Sequence, residues 1–406
     1  MHLLVGIIVL SVVTTASALT LEEAVAQARA HHPALAAARQ RVEVARGRAE
    51  QARLWPNPEL EFSAEDVPAN HGGLSRAQNM IGIAQTVPFP GKKKLDAQIG
   101  RQEITAAELE YLIREREVVR AVQSAFYRAL AAQNKVGVAG ELVVLNRSLV
   151  NIARQRIAAG AVGEQERLRA EIEQERADVE LTATQRELAE ARLALAAAMG
   201  KPRETIGALT GELRVQAPVA DVEATGAQLL AQHPVLRGTA AARERAELEL
   251  RRARLDPLPD VTLGVAGGRD FAERETMLEF RVSLPLPLFD RAQGRKRETR
   301  ALAAAARHDA TATEQQLLSE LKQIVARLRA AGEQVEAYRL RILPRAEEAL
   351  KLAQTGYAAG KFGFLDLVDT QRTAAEVRLA YWDKVLELNL ALADLEALAG
   401  HLSKEQ

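Results

Sequence analysis

The chain has no cysteine among its 406 residues, and aromatic residues make up only 4% of it. The lack of cysteine excludes disulfides, thiol catalysis and thiolate metal sites. Its 54 basic residues are balanced by 54 acidic residues, so net charge gives no reason to expect a nucleic acid as a partner. Alanine, leucine, arginine and glutamate dominate instead, a composition typical of long helices or coiled coils.

One long apolar run stands at the N-terminus, where "LLVGIIVLSVV" covers residues 3–13. It is too short to cross a bilayer as a helix. It is followed by "ASA", the pattern of small residues that signal peptidase requires. We therefore predict a signal peptide at residues 1–18, with a disordered apolar start as the alternative, and an exported mature protein without a transmembrane helix.

The remainder of the chain is a duplication. At a shift of 201, ten of 27 positions are identical between the segments that begin at His32 and His233. The pattern A-A-G-x-x-G also occurs twice, at 158–163 and 358–363. We predict one repeat at 19–200 and a second at 226–406, joined by a connector at 201–225. Each repeat orders its signals as helix, two strands and a long helical hairpin.

The long helices are predicted from strong helix formers and the absence of proline between Pro90 and Pro202. A helix from Lys92 to Ile157 would be roughly 100 Å long. Its counterpart at 290–357 contains Pro344, which predicts a kink. Helices of this length must pack as coiled coils, and periodicity alone leaves a cytoskeletal-type rod as the alternative.

Four candidate strands argue against a plain rod. In "TMLEFRVSLPL" and "PELEFSAED", apolar residues alternate with polar and charged ones. Such strands are typical of outer-membrane barrels, and a small soluble sheet is the alternative. Four strands cannot enclose a polar lumen, and open edges are not tolerated in lipid. If the strands cross a membrane, several chains must share one barrel, and three chains would give twelve strands.

The motifs "HPAL", "ARLWPNPEL", "VPFPGKKK", "AAGAVGEQE" and "YAAGKFGFLDLVDTQR", in duplicated order, resemble the outer-membrane efflux (TolC) family. The resemblance implies a mainly α homotrimer with a shared 12-stranded barrel in the outer membrane of a Gram-negative bacterium. An α-helical tunnel would extend into the periplasm, with residues 201–225 in an equatorial region. The implied function is a passive exit duct for toxic solutes or metal ions.

The implied partners are outer-membrane lipid, a periplasmic adaptor (membrane fusion) protein and an inner-membrane pump of the resistance–nodulation–division type. The segments "PNPEL" and "PFPGK" look most like the heavy-metal (cobalt-zinc-cadmium) branch. A periplasmic coiled-coil adaptor or binding module is the alternative function. The sequence does not identify the exported substrate, because a pore has no substrate pocket.

The resemblance also implies site residues. The two glycine turns would be the tips that contact the adaptor, and the glycines are expected to allow positive φ; an ordinary hairpin turn is the alternative. The tip residues are Gly160, Val162, Gly163, Gly360, Phe362 and Gly363.

The aperture acids of the family match Asp366 and Asp369, which lie three apart on one helix face. Tyr357 matches a tyrosine that holds the closed tip, and Glu166 stands where its aspartate partner is expected. Without the resemblance, the two aspartates would be ordinary solvated helix residues.

We find no catalytic constellation and predict no enzyme, no cofactor and no metal site. The histidines before Pro33 suggest a helix break rather than a metal site. The lysines at 92–94 follow a glycine but lack the P-loop pattern, and we expect them at the inner membrane interface.

Overall fold

The computed structural model describes residues 18–67, 73–160, 162–218, 221–271 and 273–399. The apolar run of the predicted signal peptide lies outside these residues. The chain is 73% helical and carries a small antiparallel sheet. This agrees with the mainly α fold that the sequence predicts.

The elements follow the same order in both halves of the chain. The first half contains α1 (Leu21–His31), α2 (Pro33–Arg53), β1 (Glu59–Glu65), β2 (Gln78–Val87), α3 (Lys92–Ala158) and α4 (Glu164–Ala198). The second half contains α5 (Val222–Gln232), α6 (Pro234–Leu255), β3 (Val261–Asp270), β4 (Glu275–Ser283), α7 (Gln293–Ala337), α8 (Leu343–Ala358) and α9 (Phe364–Ala399).

Two compact units are each built from segments of both halves. Unit 1 contains the segments up to Leu35, from Glu115 to Leu229 and from Ser319 onwards. Unit 2 contains Ala36–Arg114 and Leu230–Leu318. Fully buried side chains of unit 1 include Phe126, Leu195, Met199, Leu321, Ile324, Leu328, Leu388 and Leu395.

The histidine before each repeated proline is a helix cap. His32 Nδ1 accepts a hydrogen bond from the Ala34 N–H at 3.1 Å, and His233 Nδ1 accepts one from the Val235 N–H at 3.3 Å. The proline that follows each histidine opens a helix, a position where its missing N–H is not needed. The break predicted before Pro33 is therefore confirmed.

The long helices have the predicted positions. Helix α3 has 67 residues and ends one residue beyond the predicted Ile157. A π-helical segment, Tyr338–Ile342, separates α7 from α8, and Pro344 lies in the first turn of α8. Because proline cannot donate the helical hydrogen bond, the α-helical pattern is interrupted next to Pro344.

One helix of the described residues could cross a membrane by length and composition alone. An 18-residue window of α3 has a mean hydropathy of 1.3, and 33% of it is buried. The predicted absence of a transmembrane helix counted only uninterrupted apolar runs and so passed over this window.

The four strands of unit 2 form one antiparallel sheet in the order β1-β2-β3-β4. Its register places apolar side chains side by side across all four strands, for example Leu60, Ile83, Val265 and Phe280. These side chains are exposed, Leu60 at 80% and Phe280 at 76%. The sheet therefore has one exposed apolar face, as the alternation predicted.

Two of the lysines that follow Gly91 have hydrogen-bond or ion-pair partners within the chain. Lys92 is only 6% exposed, and its Nζ lies 2.8 Å from Asp260 Oδ1. Lys93 Nζ donates to the Ala52 carbonyl at 3.2 Å. Each of these two ammonium groups has a partner inside unit 2 that sequence spacing does not show, and their position at the membrane interface stays a prediction.

Candidate functional site: the ends of the helical hairpins

The ends of four helices of unit 1 surround a small apolar core. Helices α3, α4, α8 and α9 all contribute buried side chains to it. The members are Leu149, Val150, Ala153, Ala170, Ala353, Tyr357, Phe364, Leu367 and Val368. The two glycine turns, 200 residues apart in sequence, are therefore neighbours at one end of this core.

The first glycine of each turn ends a helix in the left-handed conformation. Gly160 has φ +70° and Gly360 has φ +74°. After α8, the Gly360 N–H donates to the Tyr357 carbonyl at 3.1 Å and the Lys361 N–H donates to the Gly356 carbonyl at 2.8 Å. This pair of bonds is a Schellman cap, which requires positive φ and so favours glycine.

The second glycine of each turn behaves differently. Gly163 has φ −87° and precedes α4 as its N-cap. Gly363 is not among the described glycines with positive φ. The expectation of positive φ was wrong at both positions, because a residue before a helix takes an extended conformation that any residue can adopt.

This difference makes a testable pair. We expect Gly160→Val to destabilise the tip by about 1–2 kcal/mol, because a β-branched residue resists positive φ. Gly163→Val should have little effect on stability, since a Cβ there would meet nothing within 4 Å. Hydrogen exchange at the end of α3 measures both, and equal protection in the two variants would contradict the assignment.

Tyr357 on α8 joins the two hairpins, of which the first is formed by α3 and α4 and the second ends in α8 and α9. It is 3% exposed, and its hydroxyl donates a hydrogen bond to Glu166 Oε1. Arg156 Nη1 lies 3.5 Å from the same oxygen, and the Arg156 guanidinium carbon lies 4.6 Å from the centre of the Tyr357 ring. The additional methylene of glutamate therefore does not prevent the contact between hairpins.

Burial raises the pKa of Tyr357 above its ordinary value of 10.0, and the bond to Glu166 raises it further against the opposing effect of Arg156. The phenol is therefore protonated and able to donate at neutral pH. A raised pKa in the folded state means that this stabilisation is complete below pH 10 and is lost as the pH rises above it.

Asp366 has a local role that the sequence analysis missed. Its Oδ2 accepts a hydrogen bond from the Gly363 N–H at 3.0 Å, which is half of a capping box at the start of α9. The spacing of Gly363 and Asp366 was the available signal. Asp369 lies one turn further on, and both aspartates are exposed.

A second contact between hairpins was also missed. Arg372 Nε on α9 donates to Glu173 Oε2 on α4 at 3.0 Å. The hydrogen bond that Arg372 donates to Glu173 raises the pKa of Arg372. No spacing within one helix indicates a pair whose members come from two different hairpins.

Phe362 fills the space beside a glycine of α8. It is 48% exposed, so about half of the residue remains accessible. A Cβ on Gly356 would lie 2.2 Å from the Phe362 ring. Of the other predicted tip residues, Val162 is partly buried.

Among the described residues, no cluster of histidine and acidic side chains could hold a metal ion.

A sheet with an exposed apolar face and two long helical hairpins define the subunit of an outer-membrane channel with a helical tunnel. The model of the family described as outer membrane efflux protein matches residues 24–201 and 226–401. The chain belongs to this family.

The chain is 29% identical over 393 residues to the cobalt-zinc-cadmium resistance protein CzcC of Cupriavidus metallidurans, covering 95% of this chain and 91% of that protein. Crystal structures of CusC superpose with a TM-score of 0.80 at 18% identity, covering 94% and 92% of the two chains. The open state of the Neisseria gonorrhoeae MtrE outer membrane channel superposes with a TM-score of 0.78 at 19% identity, covering 95% and 90%.

Family membership confirms several predictions. The protein is an outer-membrane efflux channel that extends into the periplasm, and its fold is that of the TolC-like channels, a helical tunnel with a shared barrel. Family members work as trimeric channels with an adaptor and an inner-membrane pump. The relatives are channel proteins and not enzymes. The alternative of a periplasmic adaptor is therefore set aside.

Proposed function

We propose that the chain is the exit duct of a tripartite system that exports divalent transition-metal ions. The observation that carries this proposal is the 29% identity over nearly the whole chain to a cobalt-zinc-cadmium resistance protein. The segments "PNPEL" and "PFPGK", which resemble the heavy-metal branch, support it. The pump would then be of the resistance–nodulation–division type, with a periplasmic adaptor between pump and duct.

We propose further that the hairpin ends described above are both docking tip and gate. The adaptor would contact Gly160, Val162, Gly163, Gly360, Phe362 and Gly363. In a trimer, Asp366 and Asp369 would form two acidic rings at the narrow end. The exposure of both aspartates is consistent with this role.

In the proposed gate, the contacts between the two hairpins stabilise the closed state. The Tyr357–Glu166 and Arg372–Glu173 bonds join the first hairpin to the second. Any movement that separates α4 from α8 and α9 must break them. Adaptor binding would have to supply that free energy, about 1.5–3 kcal/mol for the bond of the buried Tyr357 to Glu166 and at most about 1 kcal/mol for the partly exposed Arg372–Glu173 pair.

Deletion of the gene in the native host tests the substrate class. We expect the deletion strain to lose tolerance to cobalt, zinc and cadmium salts, and to keep its tolerance to bile salts and cationic dyes. Complementation with the intact gene should restore metal tolerance. The metal proposal fails if the deletion sensitises cells to the organic toxins alone, and copurification of pump and adaptor would then identify the true system.

A further inference from the structure

An ion pair links the two edge strands of the sheet. Arg281 Nη1 on β4 lies 2.9 Å from Glu61 Oε2 on β1, and Arg281 Nη2 lies 3.1 Å from Glu279 Oε1 on its own strand. Because the strand order is β1-β2-β3-β4, Arg281 and Glu61 belong to strands that are not neighbours. Side chains on non-neighbouring strands do not normally meet across a sheet.

The contact is possible because the strands between them are almost bare on this face. Glu61 is opposite Gly82, which is opposite Ala266, and Arg281 is opposite Gly264. A Cβ on Gly82 would approach the Ala266 Cβ to 2.7 Å. The guanidinium therefore crosses over backbone and small side chains instead of competing with larger ones.

This polar face is the one that must line the barrel. The opposite face carries the exposed apolar residues, such as Phe62 and Leu278, and those face lipid in a membrane barrel. Glu61 and Arg281 therefore project into the lumen. Both side chains are partly accessible, at 38% and 46%, so they are free to change partners.

In the shared barrel, a closer partner is available. Within one chain, β1 and β4 are three strand spacings apart, about 14 Å along the sheet. Closing a ring of identical subunits places β4 of one chain beside β1 of the next. We call this junction between β4 of one chain and β1 of the next the seam. Across the seam the two strands are one strand spacing apart, about 4.8 Å.

The charges on the two edge strands decide whether neighbouring chains attract or repel each other where β4 of one chain lies beside β1 of the next. On the lumen face, β1 carries Glu59, Glu61 and Glu65, and β4 carries Glu275 and Glu279. Like charges opposite one another destabilise a strand pair. On that face of β1 and β4, Arg281 is the one basic side chain, so it alone offers attraction across each seam.

We propose that Arg281 exchanges its own Glu61 for Glu61 of a second copy of this chain when three chains assemble the barrel. Arg281 is thus a positioning residue that selects the neighbour and the register of each seam. The proposal rests on the shared trimeric barrel and is independent of which solute is exported.

Charge exchange between chains distinguishes this proposal from a pair that stays within one chain. Glu61→Arg and Arg281→Glu are each expressed alone and together, with a different affinity tag on each. Alone, each variant places like charges at all three seams, and we expect roughly two- to five-fold less stable assembly per seam. Co-expressed, a mixed trimer has two complementary seams, so mixed trimers should be recovered through either tag.

A variant with both changes in one chain should form homotrimers like the wild type under either model. If trimers formed in the double variant but not on co-expression of the two single variants, the exchange between chains would be overturned. Trimer assembly at the wild-type level in both single variants would overturn it as well. Co-expression of Glu59→Arg with Arg281→Glu is the matched control, and equal rescue by Glu59→Arg would refute the assignment to Glu61.

The absence of cysteine from the chain gives a second measurement that does not depend on charge. Chains carrying Glu61→Cys and Arg281→Cys are treated in the membrane with a short bifunctional thiol reagent. A reagent that bridges neighbouring strands but not three strand spacings should yield covalently linked trimers. Cross-links within single chains, without linked dimers or trimers, would show that residues 61 and 281 of neighbouring chains do not lie side by side.

Discussion

Replacing Phe62 by arginine is expected to abolish stable insertion of the trimer into the outer membrane. Phe62 is 64% exposed on the apolar face of β1 and is opposite Ile81 in the register. An arginine on the lipid face costs about 2–4 kcal/mol at the bilayer midplane. Three chains share the barrel, so the penalty is about 6–12 kcal/mol per trimer, comparable to the whole stability of a typical domain.

The adjacent residue supplies the control. Ser63 points to the opposite face and is opposite Met80, so Ser63→Arg places the same charge in the lumen. We expect this variant to fractionate with the outer membrane as a trimer. Fractionation and native electrophoresis compare the two proteins directly. Equal insertion of both variants would mean that the apolar face does not contact lipid.

The strands were predictable because their pattern has a period of two that survives without any knowledge of neighbours. Residues 276–286 were predicted as a strand from alternation alone, and β4 is Glu275–Ser283. The apolar face follows directly from that alternation. The ion pair between Glu61 and Arg281 does not, because it depends on sheet order and on the small residues that separate the two edge strands.

The helical hairpins were predictable for a similar reason, whereas the chemistry of their ends was not. Proline-free segments of strong helix formers define α3 and α4 with little ambiguity. Glycine, however, accepts φ of either sign, so its presence at residues 163 and 363 did not reveal that neither has a positive φ. The contact of Arg156 with Tyr357 joins residues that are 201 positions apart and leaves no local pattern.

Glu166 and Asp366 show how duplication diverges at a functional site. Both stand three residues after the second glycine of their turn. Asp366 turns back to cap its own helix, whereas Glu166 reaches Tyr357 on the other hairpin. The longer side chain of glutamate suits the longer reach. The two equivalent positions of the repeats thus have different roles.

The proposed gate would concentrate negative charge at one end of the tunnel. Two aspartates from each of three chains would place six carboxylates at the narrow end. At separations near 8 Å and an effective dielectric near 20, each pair interacts by about 2 kcal/mol. Such rings should make the closed pore select cations and retain multivalent ones. We therefore expect Asp366→Asn combined with Asp369→Asn to remove most of the cation selectivity in planar bilayers.

Asparagine is the informative replacement because it separates charge from capping. Its side-chain oxygen can still accept the Gly363 N–H bond that Asp366 accepts now, so the start of α9 should remain intact. Asp366→Ala removes both charge and cap and should cost about 0.5–2 kcal/mol of local stability. If the double asparagine variant kept its selectivity and its block by multivalent cations, the two aspartates would be ordinary surface residues.

Glu164→Gln is the matched control, since that exposed acid of the same tip already has Arg167 as its partner. Because Arg167 already offsets its charge, we expect Glu164→Gln to leave selectivity unchanged.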